Sequence, residues 1–263
     1  MAPGDTRSVL ARAFTMLAAF DASGDGLSLA ELARLTGLPK ATLHRLTAQL
    51  TELGALERIG DTYYMGLRLF EFARSVPIQQ RLREVALPFM ADLYEATHET
   101  VHLGIMTEND VLYVERIAGH KQVCCPTRVG GRMPVHCTGL GKAMLAHVPE
   151  ETLQLVISGG LKPLTPYTIV MPRLLREQLS RIRETGVAFD REEAVLGVVC
   201  IAAPLLLNGE PIGAISVTGP KMRLRVENLA SAVRTTAITL SRHIRRSELA
   251  MLGASETSGL GSG

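Results

Sequence analysis

The chain has 263 residues, of which 46% are hydrophobic and 21% are charged, a balance typical of a folded globular protein with room for two domains. No apolar run approaches the roughly 20 residues that a membrane-spanning helix needs, so we expect no membrane partner. The formal net charge is only +2, and any nucleic-acid role must therefore depend on where the charges lie.

The first residues and the cysteines indicate a compartment. The N-terminal segment MAPGDTRSVLARAF lacks the basic start, apolar core and small-residue cleavage site of a secretory signal. Cys124, Cys125, Cys137 and Cys200 are then expected to be reduced thiols rather than a disulfide framework. We therefore expect a cytoplasmic protein.

Short helices are predicted in the first part of the chain. Apolar residues recur at helical spacing from Ser8 to Phe20. A second helix is predicted from a capping box at Ser28 and Glu31, and Gly37 ends it. The two helices form the start of a compact N-terminal domain.

A third helix and a hairpin complete this domain. Pro39 suits a first helical position, and Leu43, Leu46 and Leu50 share one side of the helix before Gly54 ends it. The β-rich stretches LERI and TYYM then flank Gly60-Asp61, which is a hairpin pattern. Residues 1–66 are therefore predicted to be a winged helix-turn-helix domain.

The remainder is predicted to be helical linkers followed by an α+β domain. Residues 67–98 show helical patterns, with Pro77 as a break, and form the connection. Residues 99–250 contain two predicted hairpins, TVHLGIMT with VLYVERIA and CIAAPLLL with PIGAISVTG, separated by helical segments. The Gly/Ser-rich tail, residues 251–263, is expected to be disordered.

The third helix has the chemistry of a DNA-reading surface. Between Leu38 and Thr51 it carries the basic residues Lys40 and Arg45 and no acid. Helical rotation points Ala41, Arg45 and Ala48 away from the buried leucines and places Thr42, His44 and Gln49 on the flanks. Arginine can pair with guanine edges or phosphates, and Arg58 of the hairpin is available for a phosphate. A solvated helix face is the alternative.

Glycines after the first predicted hairpin indicate an anion site. Gly139 and Gly141 begin an apolar-periodic helix in VHCTGLGKAMLA, and the free N–H groups and dipole of a helix start favour negative charge. A metabolite that bears a carboxylate suits this arrangement.

The chain resembles the IclR family of transcriptional regulators. SLAELARLTGLPKATLHRLTAQLTELGALER and YYMGLRLFEFA are similar to its N-terminal domain, and VAFDREEAVLGVVCIAAPL and AISVTGP to its effector domain. The resemblance covers nearly all of residues 8–248 and implies a GAF-like effector domain of antiparallel sheet flanked by helices. Where the family often has a hydroxyl, this chain has Ala41, so one phosphate hydrogen bond is expected either to be missing or to be supplied by Thr42.

The resemblance also implies which residues line the effector pocket and which partners the protein has. The pocket residues are Gly139, Leu140, Asp190, Val198, Cys200, Ser216 and Thr218. Ser216 and Thr218 alternate with Val217 and should share one face of a strand. The expected partners are a double-stranded DNA operator, a small organic acid, and further copies of the chain in a homodimer or a dimer of dimers. No enzymatic activity and no cofactor are expected.

Two metal patterns and one rival function remain as alternatives. The string from His98 to His102 matches HExxH, but β-branched residues there indicate a strand, whereas zinc proteases need a helix. His136, Cys137, Asp190 and Cys200 are competent metal ligands at irregular spacing. The rival function is a metal-binding or enzymatic C-terminal domain whose helix-turn-helix mediates protein contacts.

Overall fold

The computed structural model describes residues 8–23, 26–76, 82–118 and 127–258. The chain forms two compact units, Met1–Gln80 and Arg81–Gly263. Among the described residues, no helix is both long enough and apolar enough to cross a membrane.

The first unit is a small helical domain with a three-stranded antiparallel sheet in the order β1-β3-β2. Its elements are α1 (Val9–Ser23), β1 (Leu27–Ser28), α2 (Leu29–Thr36), α3 (Lys40–Glu52), β2 (Leu56–Ile59), β3 (Thr62–Met65) and α4 (Leu67–Arg74). The capping box is present, because Ser28 Oγ accepts from Glu31 N at 3.3 Å and the Glu31 carboxylate accepts from Ser28 N at 2.8 Å. The predicted winged helix-turn-helix is confirmed.

Helix α3 packs on a core made by the other elements of this unit. Leu43 and Leu46 are buried with Met16, Leu32 and Tyr63. The prediction for Pro39 is off by one position: its extended ψ of 140° makes it the residue before the helix, and α3 begins at Lys40. The leucine face of α3 packs on the core of the first unit, and the opposite face of the helix is exposed to solvent.

The second unit contains a six-stranded antiparallel sheet in the order β6-β5-β4-β9-β8-β7. Its strands are β4 (Thr100–Thr107), β5 (Asp110–Ile117), β6 (Arg132–Pro134), β7 (Ala188–Arg191), β8 (Val198–Leu207) and β9 (Glu210–Pro220). Its helices are α5 (Glu84–Thr97), α6 (Gly139–Leu145), α7 (Glu150–Ser158), α8 (Pro172–Thr185) and α9 (Ala230–Ser258), with a 3₁₀ turn at Val226–Leu229. The predicted α+β class is confirmed.

Both faces of this sheet are covered by helices. Val199 and Ile201 of β8 belong to the core shared with α5 and α9, whereas Ala202 belongs to the core shared with α6 and α8. Because side chains alternate along a strand, Cys200, Ser216 and Thr218 lie on the α6 side. Because both faces of the sheet are buried, the central strands appear in the sequence as nearly continuous apolar runs.

Two further sequence predictions differ from the structure. The predicted connection, residues 67–98, is divided between the units: α4 lies in the first and α5 in the second, because Ala86, Met90 and Leu93 of α5 are buried in the core of the second. Helix α9 continues to Ser258, so residues 251–258 of the tail are helical, since extending a formed helix avoids the cost of nucleation. Residues 259–263 lie outside the described residues.

Candidate DNA-binding and effector-binding sites

The α3 surface presents the predicted DNA-binding residues together. Lys40, Ala41, His44, Arg45 and Gln49 are exposed, and Thr42 is half-buried. Beneath them the leucines face the core, as the helical period requires. The arrangement gives α3 one continuous polar face that carries two cations and has no carboxylate between Lys40 and Thr51.

Arg58 of β2 is engaged within its own hairpin. Its Nε donates to the carbonyl oxygen of Gly60 at 2.9 Å, and its Nη2 to Asp61 Oδ1 at 3.2 Å. The guanidinium also lies over the ring of Tyr63, 5.6 Å from its centroid. A phosphate at the wing must therefore compete with Asp61 for this arginine.

All seven residues predicted for the effector pocket line one cavity in the second unit. They come from the start of α6, from β7, from β8 and from β9. The complete lining is His102, Tyr113, Thr127, Met133, Thr138, Gly139, Leu140, Asp190, Ala194, Val195, Val198, Cys200, Ser216 and Thr218. We refer to it as the effector cavity.

The strand register explains why residues so distant in sequence meet here. Asp190 is paired with Cys200, and Cys200 with Thr218, which makes one row across β7, β8 and β9. His102 of β4 is paired with Ser216 of β9 in the next row. Adjacent positions on one face of antiparallel strands lie close together, so the sheet supplies a polar floor.

Two polar side chains at the centre of the floor, Ser216 and His102, are buried. The Oγ of Ser216 has no hydrogen-bond partner among the described residues, although a buried hydroxyl is normally bonded. His102 Nε2 lies 2.9 Å from Thr127 Oγ1, and its Nδ1 lies 3.4 Å from Thr218 Oγ1. Burial, assisted by Arg116, lowers the pKa of His102 to about 3, so the ring is neutral and offers one donor and one acceptor.

Asp190 supplies a carboxyl group whose charge is sensitive to pH. Burial raises its pKa to about 7, against the opposing influence of Lys142. One oxygen, Oδ1, accepts from the backbone N–H groups of Glu193 at 2.7 Å and Ala194 at 3.4 Å. The carboxyl is therefore fixed in position and exists partly as the neutral acid near neutral pH.

A buried ion pair fastens the cavity wall behind Asp190. Lys142 Nζ of α6 donates to the carboxylate of Glu193 and, at 3.0 Å, to Gln178 Oε1 of α8. The hydroxyl of Thr168 donates to the carbonyl oxygen of Glu193 at 2.6 Å. These bonds connect the helix that bears Gly139 to the segment that follows Asp190.

The start of α6 lies so close to neighbouring backbone that glycine is required. A Cβ at Gly141 would come within 2.1 Å of the carbonyl oxygen of Val135, and one at Gly139 within 2.9 Å of Cys200 Sγ. Thr138 Oγ1 caps the helix by accepting from Gly141 N at 3.1 Å. The first N–H groups of a helix have no acceptor within it, and Gly139 and Leu140, which begin α6, line the cavity.

The effector cavity is closed in this structure. Its volume is about 20 Å³, close to the room that one water molecule needs. Binding sites for small organic molecules are usually more than ten times larger. A metabolite can enter only if the walls move.

Seven cavity residues were not found by sequence reasoning, and His102 is the most informative. The strand TVHLGIMT alternates between apolar residues such as Val101 and Leu103 and a second set that includes Thr100 and His102. This alternation was a usable signal that one face of β4 is polar. The pairing of β4 with β9, which brings His102 to Ser216, has no local sequence signal.

Among the described residues, the structure shows no geometry that supports either metal-site alternative. No group of three or more His, Cys, Asp or Glu side chains there is placed to hold a metal ion. His98 ends α5 in a left-handed conformation with φ 52°, and His102 lies on β4, so HExxH spans a helix-to-strand junction. Burial raises the pKa of the Cys137 thiol to about 12, which disfavours the thiolate that a metal requires.

Comparison with protein families matches both units. The family described as "IclR helix-turn-helix domain" matches residues 9–60. The family described as "Bacterial transcriptional regulator IclR C-terminal" matches residues 76–242. Together the two matches include α3 and every residue of the effector cavity.

Curated relatives and solved structures agree with these matches. The chain is 31% identical to the transcriptional repressor IclR of Escherichia coli, covering 85% of this chain and 83% of the relative. It is 34% identical to the regulator BhcR of Paracoccus denitrificans, covering 84% and 81%. An IclR homolog from Microbacterium hydrocarbonoxydans, crystallised with 4-hydroxybenzoate, has a TM-score of 0.84 and 31% identity over 91% of this chain and 100% of that one.

Proposed function

Because the chain belongs to the IclR family of bacterial transcriptional regulators, with a helix-turn-helix DNA-binding domain and a C-terminal effector-binding domain, we propose that a small organic acid in the effector cavity changes its affinity for an operator. The observation that carries this proposal is the convergence of four segments on one buried polar cavity with an unpartnered hydroxyl, Ser216.

The operator is read by the exposed face of α3. Arg45 pairs with a base edge in the major groove, and Lys40, Thr42, His44 and Gln49 contact phosphates or bases beside it. Ala41 has no side-chain donor and contributes only shape. Arg58 of the wing leaves Asp61 and contacts a phosphate, as wings of this class can do.

The effector is a carboxylate, and an aromatic ring suits the rest of the cavity. The carboxylate accepts from Ser216 Oγ and from the backbone N–H groups of Gly139 and Leu140. Val198, Cys200 and Thr218 enclose the body of the acid, and Asp190 in its neutral form donates to it instead of repelling it. The 4-hydroxybenzoate bound by a homolog at 31% identity supports this chemistry.

The closed cavity gives the acid a means of acting at a distance. Since a cavity of about 20 Å³ does not hold such a molecule, the bound state must differ from this one, and an acid that binds only the open state shifts the population towards it. The ion pair of Lys142 and Glu193 limits where the wall can open. The resulting movement alters how the two reading helices are presented to DNA.

The regulator acts as a homodimer on a pseudo-palindromic operator, and two dimers can associate. Large apolar side chains of the first unit are exposed, with Leu10 at 72% and Phe14 at 64% on α1 and Leu67 at 73% and Phe70 at 65% on α4. Exposed apolar surface of this kind marks protein contacts, and helix-turn-helix dimers place their helices in paired half-sites. Since its target is genomic DNA, the protein works in the cytoplasm.

Thermal denaturation of the full chain with a panel of aromatic and aliphatic acids tests the proposal, because a ligand that binds only the folded state raises its melting temperature. We expect at least one acid to raise the melting temperature of the wild type but not that of Ser216→Ala. An acid that stabilises both proteins equally would place the binding site elsewhere.

A further inference from the structure

A second cavity, of about 500 Å³, lies in the effector-domain unit at the end of α8, the β8–β9 hairpin and α9. None of its lining residues belongs to the effector cavity. Its volume falls in the range of sites that hold small organic molecules. We refer to it as the arginine cavity.

The arginine cavity is strongly basic. It is lined by Arg183, Arg234, Arg242 and Arg245, and none of its lining residues is Asp or Glu. Four guanidinium groups in one cavity contrast with a net charge of +2 for the whole chain. Among the side chains that the structure describes, no carboxylate forms an ion pair with any of the four. An anion bound between them would reduce their mutual repulsion.

Two of these arginines are held in place by backbone carbonyls. Arg183 Nη1 donates to the carbonyl oxygen of Ala146 at 3.0 Å, and Arg234 Nη1 to that of Thr185 at 3.2 Å. A guanidinium has five N–H groups, so each keeps donors for a ligand after one is used for positioning. A Cβ at Gly186 would lie 3.0 Å from Arg234 Cδ, so the glycine makes room for this side chain.

His147 adds an unsatisfied nitrogen to the same wall. It lines the cavity, and its Nε2 is buried without a hydrogen-bond partner in the described part of the chain. Burial, together with Arg183, lowers its pKa below the usual 6.5. Buried polar atoms of this kind normally find a partner, and none of the described residues supplies one for this nitrogen.

The rest of the lining is apolar. Pro204 and Leu206 of β8 and Ile238 of α9 face the cavity. The ligand therefore carries an apolar body as well as negative charge. A double helix does not fit into a cavity of this volume, which separates the site from the DNA-reading face.

We propose that the arginine cavity binds a small phosphorylated metabolite with an apolar or aromatic body, at a site separate from the effector cavity. A phosphate monoester carries up to two negative charges and three terminal oxygens, which match several guanidinium forks at once. A single carboxylate compensates less of the charge. The regulator would then respond to two chemically different small molecules.

Isothermal titration calorimetry of the full chain tests this proposal with adenosine monophosphate as the probe and uncharged adenosine as its control. We expect saturable binding of the nucleotide only. Arg234→Gln and Arg242→Gln should each weaken it by about tenfold, the loss of one charge-assisted hydrogen bond. The matched control is Arg181→Gln, an exposed arginine of α8 outside the cavity, which should bind as the wild type does.

Four results would contradict the proposal. One is the absence of saturable binding at about millimolar nucleotide. Another is an equal loss in Arg181→Gln, which would indicate attraction by general surface charge. The third is displacement of the nucleotide by short duplex DNA, which would make the arginines a DNA-contacting surface. Inorganic phosphate binding as tightly as the nucleotide would contradict the requirement for an apolar body.

Discussion

Ser216 and Ser241 both lie in the second unit, but their hydroxyl groups differ in hydrogen bonding. Ser216 Oγ is buried without a partner among the described residues, whereas Ser241 Oγ accepts from Leu206 N at 3.0 Å and donates to the carbonyl oxygen of Ala237 at 2.7 Å. A hydroxyl that forms no bond in the free protein adds little to its stability. Ser216 is therefore interpreted as a group reserved for the ligand.

Alanine at each position separates these two roles. Ser216→Ala should change the free energy of unfolding by less than about 0.5 kcal/mol, and Ser241→Ala should lower it by about 1 kcal/mol because Leu206 N loses its acceptor. Urea denaturation measures both. A loss in Ser216→Ala as large as that in Ser241→Ala would mean that the first hydroxyl is bonded in the free protein.

Asp190 makes the stability of the protein depend on pH in a defined direction. Its folded-state pKa of about 7 lies above the 3.8 of an ordinary aspartate, so between these values the folded chain holds a proton that the unfolded chain has lost. Stability therefore falls as pH rises from about 4 to 7, by at most about 1.4 kcal/mol per pH unit.

Asp190→Asn should abolish this part of the pH dependence while keeping an oxygen for Glu193 N. Its free energy of unfolding, relative to the wild type, should rise with pH across that interval in urea denaturation. Asp92→Asn, at an exposed position of α5, is the control and should run parallel to the wild type. Parallel behaviour of Asp190→Asn as well would contradict a raised pKa.

At the scale of single residues, sequence reasoning located the cavity but not all of its chemistry. The seven positions that the family resemblance implied line one cavity, and the alternation of Ser216 and Thr218 along one strand agreed with their sharing a face. The neutrality of His102 and the raised pKa of Asp190 depend on burial, which is a property of the packed structure. The ion pair of Lys142 and Glu193 links distant segments and has no local signature.

Among the elements, helix α3 and the hairpin were predictable because their signals are local. The capping box, the left-handed Gly37 and the Gly60-Asp61 turn each act over a few residues. The end of α9 was not predictable from composition, since the Gly/Ser-rich tail continues a helix that tertiary packing has already formed.

The role of α3 is tested by Arg45→Ala. An operator is first selected from random duplexes with the wild-type chain, and affinity is then measured by fluorescence anisotropy at fixed salt. Loss of a bidentate contact to a base should weaken binding by roughly 1–3 kcal/mol. Arg74→Ala, an exposed arginine of α4, is the control. Equal losses in both variants would mean that Arg45 contributes only its positive charge and makes no specific contact with a base.

For the whole molecule, the fold class was predictable from the sequence, but the order of the strands in the larger sheet was not. The two predicted hairpins and the intervening helical segments indicated an antiparallel sheet with flanking helices. The order β6-β5-β4-β9-β8-β7 places β4 beside β9, although their sequences are more than 100 residues apart. Pairing between strands so far apart depends on the burial of both faces of the sheet. A short stretch of sequence does not contain that information.

Control of operator binding by occupancy of the effector cavity is measured by fluorescence anisotropy with and without the acid found by thermal denaturation. Such control predicts that the acid shifts the operator affinity of the wild type, whereas Ser216→Ala binds the operator normally in its absence and needs a much higher acid concentration to respond. An identical response of Ser216→Ala and the wild type at every acid concentration would contradict it.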